Sequence, residues 1–411
     1  MNILIVNTSD IHGGAAIAAF RLMNALLREG ESVKMVVRDK QADHTGVIRA
    51  GGKLQNRINF YLERGVIFLR NRCTKQYLFD ISIANSGLSI TDLPAYREAD
   101  VVHLHWINQG MLSLDEIGRI IASGRKIVWT MHDMWPFTGI CHHAAGCTRY
   151  ERSCGECPYL RTPSRNDLSQ QLFLTKQAVY AMGGGGITFV ACSDWLRELA
   201  AKSPLTAGHQ VISIPNPIDT AVYTPMDKRE ARHRLNLPED KKIVLFAAVK
   251  ASDPRKGMDY LAEASRIMAQ QHDDILFLIA GNDGEEPGKR LSLPARSLGY
   301  VAPQDMPWVY NAADLFVTPS LQENLPNTIM EAMACGTPCV GFHTGGIPEM
   351  ITHKEDGYVA QYKDTEDLAN GILWTLYQTD ANGLSVNARK KAITHYAQSL
   401  VANQYIELYH A

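Results

Sequence analysis

The sequence predicts an α/β protein made of two parallel-sheet halves, and three observations carry that prediction. Short, unbroken apolar runs recur along the chain, among them Met1–Asn7, Asp100–Leu104, Lys126–Thr130, Ile243–Val249 and Ile275–Ala280. Runs of this kind suit strands buried on both faces. Between Met1 and Arg38 the order is strand, Gly-rich turn, amphipathic helix, strand, the repeating unit of a Rossmann-like sheet. After the stiff segment PNPID (Pro215–Asp219) and a charged stretch, the whole pattern starts again at Ile243. We therefore expect an N-terminal domain over residues 1–215, a C-terminal domain over 216–395, and a final helix, 396–411, that returns to pack on the first domain. Ligands of such sheets bind at the carboxyl ends of the strands. Two such domains would face a central cleft.

The bulk composition fits this and excludes some functions. A chain of 411 residues is long enough for roughly two to three domains, and 45% apolar residues suffice for buried cores. The formal charge of −2 gives no net basic field for nucleic acid. The start, MNILIVNTS, reads as a first strand rather than a secretory signal. No apolar run approaches the ~18 residues of a membrane span. Eight cysteines without a signal suggest a reducing compartment, so a cytoplasmic protein is expected.

In chain order, the first strand leads into TSDIHGGAA (Thr8–Ala16), where Gly13 and Gly14 let backbone approach a ligand ahead of a helix over Ile17–Gly30. Ser32–Arg38 is the next strand. The turn lacks the G-x-G-x-x-G spacing, so it does not read as a dinucleotide site. Lys53–Lys75 is amphipathic, with Leu54, Ile58, Tyr61, Leu62, Gly65 and Leu69 on one face and Arg57, Arg64 and Arg70 among its basic residues. It suits either an anionic membrane surface or a core-packed helix with a solvated basic face. Two strands end in histidines, His105 after DVVHL and His132 after KIVWT. An irregular insert, 136–160, follows and holds Cys141, Cys147, Cys154 and Cys157. Its C-x2-C bite leaves structural zinc, free or redox thiols, and disulfides open, with His142 and His143 as spare ligands. Gly183–Gly186 is a flexible break, then Ile187–Ala191 and His209–Ile214 are strands.

The second half repeats the logic. Ile243–Val249 ends in KASDPRKG, with Lys250, Arg255 and Lys256, and Leu298–Val301 is a short apolar run. DLFVTP (Asp314–Pro319) leads into SLQENLPNTIME (Ser320–Glu331), and a helix over Pro326–Cys335 stops at Gly336. Glu323 and Glu331 bracket the helix start, whose free N–H groups near Asn324 and Leu325 make an anion seat. Cys339–Phe342 ends in a second Gly-Gly turn within HTGGIPEM, and Ser385–Tyr409 is helical. A helix end supplies only about half a positive charge, so a nucleoside diphosphate at such ends needs cations. Lys250, Arg255 and Lys256 stand at a strand exit to supply them. No carboxylate cluster at a strand end takes their place with a divalent metal.

At this point the chain resembles the retaining glycosyltransferases of family 4, which have the GT-B architecture of two Rossmann-like domains. The likeness runs through PSLQENLPNTIMEAMACGTPCV (Pro319–Val340), GGAA at Gly13, MHD at Met131, NPID at Asn216, RKG at Arg255 and GGIPEMI at Gly345. The insert after HDMWPFTG is similar to that of a subgroup tied to bacterial surface polysaccharides. The resemblance implies that Glu323 faces the transferred sugar, that Glu331 holds the ribose hydroxyls and that the Asn324 and Leu325 amides bind the diphosphate. It implies that Lys256, with Arg255 or Lys250, neutralises the leaving diphosphate, that Gly14 closes on it, that main chain near Val301 receives the base, and that His132 bonds a sugar hydroxyl. The family's usual arginine five residues before the lysine is here Ala251, so which cation takes its part stays open.

The expected activity is thus metal-independent, retaining transfer of a sugar from a nucleotide-sugar donor to a glycan or lipid-linked glycan. No cofactor is required, and zinc would be structural. The alternatives are a sugar-nucleotide epimerase or phosphorylase of the same fold, and a non-catalytic zinc-dependent scaffold. Peripheral association with the inner face of the plasma membrane would suit the basic amphipathic helix.

Overall fold

The computed structural model describes residues 1–182 and 186–411. All but the last glycine of the break at Gly183–Gly186 lies outside the described residues. The chain divides into two compact units, Met1–Pro215 with Ala402–Ala411, and Asn216–Val401.

The first unit holds β1 (Asn2–Ser9), β2 (Ser32–Asp39), β3 (Val47–Arg49), β4 (Val101–Leu104), β5 (Lys126–Met131), β6 (Thr188–Ala191) and β7 (Gln210–Ser213). They form one parallel sheet in the order β3-β2-β1-β4-β5-β6-β7. The second unit holds β8 (Lys242–Lys250), β9 (Ile275–Asn282), β10 (Ala295–Gly299), β11 (Leu315–Thr318), β12 (Cys339–Phe342) and β13 (Gly357–Ala360). These too are parallel, in the order β10-β9-β8-β11-β12-β13. Both are doubly wound, Rossmann-like α/β sheets. Each reverses direction once, between β1 and β4 and between β8 and β11, and such reversals open the crevices in which ligands bind. The apolar runs behave as expected of doubly covered strands: Ile3, Leu4, Ile5 and Val6 are all buried, as are Ile243 to Phe246.

Several boundaries shift for identifiable reasons. The first helix runs Gly14–Arg28, because Gly13 at φ 94° turns the chain straight into it. The edge strand β10 starts at Ala295, before the apolar run, since an edge strand with exposed Ala295 and Arg296 carries little hydrophobic pattern. The last long helix is two, Ala381–Tyr396 and Gln398–His410. It breaks at Ala397, where Ile218 of the NPID segment donates its N–H to Tyr396 and accepts from Gln398 in a short β-bridge. Beyond the break, Tyr405 and Tyr409 are buried in the first unit. Their hydroxyls bond Thr130 (2.8 Å) and His103 (2.7 Å) under the central strands.

The basic helix spans Lys53–Arg70, and its inward face is not the apolar one. Asn56, Glu63, Arg64 and Ile67 are buried, whereas Leu54, Ile58, Tyr61, Leu62 and Leu69 are exposed. Arg64 therefore leaves the solvated basic set. It pairs with Glu63 at 3.1 Å and donates to the carbonyls of Leu78 and Ile81.

Candidate functional site

In the second unit, two of the expected residues meet at the point where the sheet reverses. Lys256 follows β8 and Glu323 follows β11, and those strands are neighbours. The Lys256 ammonium is hydrogen-bonded and ion-paired to Glu323 Oε1. Neither is lost in the core: the Glu323 side chain keeps 15% exposure and that of Lys256 33%. Two glycines bring the loops together. Gly257, at φ +75°, presses against the Pro319 carbonyl, where any Cβ would collide, and Leu321 donates to the Arg255 carbonyl at 2.7 Å. Gly345, at φ +56°, lies against the Glu323 carbonyl, and Gly346 donates to the Asn324 carbonyl at 2.8 Å. The RKG loop, the Glu323 loop and the second Gly-Gly turn are thus one packed assembly.

The helix behind Glu323 runs Asn327–Ala334, with Pro326 and Cys335 as its caps. Its end is a Schellman motif, in which Thr337 donates to Ala332 and Gly336, at φ 76°, to Met333. Glu331 is buried on this helix, and the Tyr310 hydroxyl donates to its Oε2 at 2.8 Å. Tyr310, from the helix Met306–Ala312, is a site residue the sequence did not flag, because nothing local links it to Glu331. Burial first, and then the Glu331 carboxylate, push its phenol well above the usual range, so it stays a donor.

The other candidates divide. Arg255 turns to Asp253, with contacts of 2.7–3.2 Å, so Lys256 rather than Arg255 addresses Glu323. Burial raises the Asp253 carboxyl, but the hydrogen bonds and charge of Arg255 outweigh it and hold it low. Lys250 stands exposed at the end of β8. Ala251, in the arginine's place, is fully buried. Asn324 and Leu325 are buried just before the helix, and Val301 lies two residues past β10.

In the first unit, Gly13 and Gly14 sit at the exit of β1, at the reversal point of that sheet. A Cβ on Gly13 would meet nothing. His132 follows β5 and stacks on His105, with Nε2 sharing a 2.9 Å hydrogen bond with His105 Nδ1. His103 lies against His105 in a tilted arrangement, ring centroids 4.3 Å apart. Burial is the main cause that lowers His132 to about 4 and His103 to about 3, so both rings are neutral near pH 7. His105 Nε2 is buried without a partner among the described residues. Asp133, next to His132, accepts from Trp106 Nε1 and bonds His142, each at 2.7 Å. Burial works to raise it, yet the charge and hydrogen bond of His142 outweigh that and bring it to about 2. His142, also bonded to Ser82, is thereby occupied as a structural residue.

The four insert cysteines line one small cavity of about 20 Å3 and are free thiols. Burial raises Cys154 to about 11 and Cys157 to about 12. Among the described residues, no three His, Cys, Asp or Glu side chains are gathered as a metal would hold them. Beside them Lys176, missed by sequence reasoning, is wholly buried, donating to the Trp135 and Thr138 carbonyls at 2.6 and 3.0 Å.

Comparison with known proteins agrees with this geometry. Residues 240–378 match the family model described as "Glycosyl transferases group 1", so the second unit carries a glycosyltransferase group 1 domain. The chain is 26% identical over 318 residues to D-inositol 3-phosphate glycosyltransferase of Corynebacterium aurimucosum, covering 73% of this chain and 68% of that protein. It is also 26% identical over 210 residues to UDP-Gal:alpha-D-GlcNAc-diphosphoundecaprenol alpha-1,3-galactosyltransferase of Escherichia coli, covering 49% of this chain and 54% of that one. Among solved structures, sucrose-phosphate synthase from Thermosynechococcus elongatus superposes with a TM-score of 0.69 over 99% of this chain and 98% of that chain, at 20% identity. The chain's homologues are thus glycosyltransferases. No helix among the described residues is long and apolar enough to cross a membrane.

Proposed function

We propose that this chain is a retaining, metal-independent glycosyltransferase that moves a sugar from a nucleotide-sugar donor to a glycan or lipid-linked glycan acceptor. The observation that carries the reading is the Lys256–Glu323 pair where the second sheet reverses. An ammonium and a carboxylate held together there supply what glycosyl transfer needs. The cation neutralises the diphosphate as the glycosidic bond breaks, and the carboxylate faces positive charge growing on the sugar. In the free protein the two offset each other. A bound diphosphate would draw Lys256 away and leave Glu323 to the sugar.

The remaining roles follow from the chemistry of each group. The amides of Asn324 and Leu325, ahead of the helix Asn327–Ala334, suit the diphosphate. Glu331, oriented by Tyr310, suits vicinal ribose hydroxyls, and main chain near Val301 would take the base. Lys250 and Arg255 are further cations for the diphosphate. In the first unit the neutral His132 ring would take a sugar hydroxyl by giving up its weak 3.7 Å contact from Nδ1 to Cys192, while Nε2 stays bonded to His105. Gly13 leaves backbone open to a ligand, and Gly14 behind it starts the helix. The E. coli relative's name specifies a diphosphoundecaprenol-linked sugar, and a lipid-linked glycan is the acceptor class proposed here.

Thermal-shift screening of nucleotide sugars, followed by transfer assays, tests the reading. Glu323→Gln is expected to cut turnover at least ~10²-fold, the scale of losing one positioned charged group. Near-normal transfer by that variant overturns the assignment. Donor isomerised without acceptor would move it to an epimerase.

For the insert we propose a structural zinc closing the four-thiol cavity, outside the transfer chemistry. The four thiols line one small cavity without being gathered as ligands in the free chain, so the ion would have to draw them together on binding. A four-thiolate zinc centre is anionic, which would favour the buried Lys176 ammonium nearby. One zinc per chain by elemental analysis, lost in Cys154→Ser, is the expected result. Metal-free, fully active protein refutes it.

A further inference from the structure

We propose that the helix Lys53–Arg70 is a docking face for an anionic lipid bilayer. This inference is independent of the transfer reading. It rests on an inverted helix. In a surface helix the apolar stripe normally packs inward and the polar face meets water. Here the buried side carries Asn56, Glu63 and Arg64, and the apolar stripe points out. Leu54 is 72% exposed, Tyr61 61% and Leu69 67%, with Ile58 and Leu62 about half exposed. At 100° per residue these five positions and Gly65 fall within roughly a third of the helix circumference.

The stripe continues past the helix. Phe79, 60% exposed, stacks against Phe60, which in turn meets Tyr61 edge-on. The buried polar face is tied down by several hydrogen bonds and one ion pair, which fix the helix in this orientation, although Asn56 Oδ1, Glu63 Oε2 and Arg64 Nε have no hydrogen-bond partner among the described residues. Glu63 accepts from the Ile83 and Ala84 amides, at 2.8 and 3.0 Å, and pairs with Arg64. Asn56 donates to the Arg38 carbonyl at 2.9 Å. Rolling the stripe inward would bury hydrocarbon at the cost of stranding this network.

Charge selects the occupant. Lys53, Arg57, Arg70, Arg72 and Lys75 are all exposed along or just beyond the helix. The one acidic side chain between Lys53 and Phe79 is Glu63, which is fully buried. An apolar stripe flanked by uncompensated cations matches the acyl boundary and headgroups of an anionic bilayer. At 18 residues the helix is roughly 27 Å long, and it would lie in the plane of the interface.

Co-sedimentation of the full chain with phosphatidylcholine vesicles, with and without phosphatidylglycerol, tests this. Binding is expected to the phosphatidylglycerol vesicles and to weaken as salt rises. The double variant Leu62→Glu/Leu69→Glu should lower binding at least ~10-fold, since both side chains leave water for hydrocarbon in the bound state. Arg57→Gln/Arg70→Gln should lower it on the order of tenfold. All four positions are exposed, so both variants should melt with the parent, which separates docking from folding. Equal binding to neutral vesicles, no binding to either kind, or binding unchanged in the variants overturns the proposal. Self-association that the leucine variant abolishes would assign the face to a second copy and equally overturn it.

Discussion

The two Gly-Gly turns are alike in sequence and opposite in use. Each follows a strand and precedes a helix: Gly13-Gly14 after β1, and Gly345-Gly346 after β12. Gly13 looks onto open space, with nothing in the chain within 4 Å of where a Cβ would sit. Gly345 is already occupied by the protein's own main chain, the carbonyls of Glu323 and Asn324. The first turn is open, as the proposed ligand role requires, and the second is closed on the loop that holds Glu323. A Gly-Gly dipeptide before a helix therefore signals close backbone approach, and only the surroundings say by what.

Replacing Gly345 is the strongest way to break that contrast. Gly345→Ala adds a Cβ into the Glu323 carbonyl and asks alanine to hold φ +56°. Overpacking against main chain together with backbone strain should cost upwards of ~3 kcal/mol. Denaturant unfolding would read it, and stabilisation by nucleoside diphosphate should vanish with it. Folding and ligand response close to the parent would mean that the turn does not seat the Glu323 loop.

A second contrast separates the units by pH. In the first unit the histidines are kept neutral by burial, His103 at about 3 and His132 at about 4, against 6.5 when unfolded. The folded values are depressed, so fewer protons bind the native state between these limits. The contribution of the neutral rings is full above pH 6.5 and is lost progressively as pH falls from 6.5 to about 4 for His132 and about 3 for His103. Asp133, at about 2 against 3.8, adds a loss in the same direction at lower pH. Stability should fall on the order of 1.4 kcal/mol per unit of pH per depressed group over that window. Hydrogen exchange should show strands β4 and β5 opening before β8 and β11. Loss of protection in β8 and β11 first would contradict it.

What the sequence made legible follows from range. Strand cores and the helix after Glu323 are local signals, written in apolar runs and caps, and they appear where they were read, as does the strand at which the pattern starts again, Lys242–Lys250. The meeting of Lys256 with Glu323 was readable only through the placement of both at strand exits, since 67 residues separate them. Contacts with no local signature stayed hidden. Tyr310 reaches Glu331 from another helix, Tyr409 reaches His103 across 306 residues, and Lys176 enters the insert from the helix Leu168–Tyr180. The inverted face of Lys53–Arg70 was legible as amphipathic but not as to which side faced in, because periodicity carries no sign. That Arg255 bonds Asp253 was not read from the sequence, although Asp253 stands only two residues earlier.

Gly13→Ala gives the smallest expected effect on stability and the most informative comparison with Gly345. With φ at 94° an alanine there is strained, but its methyl group collides with nothing. The cost should be about 1–2 kcal/mol from backbone strain alone, roughly half or less of that for Gly345→Ala. The larger consequence should fall on binding, since the methyl group occupies the space that the bare turn leaves for a ligand. A variant that melts a few degrees low yet loses substrate affinity would separate the two uses of one motif. Equal affinity for every substrate and nucleotide tested would leave Gly13 as a helix-starting residue and nothing more, since its φ of 94° already accounts for glycine at that position.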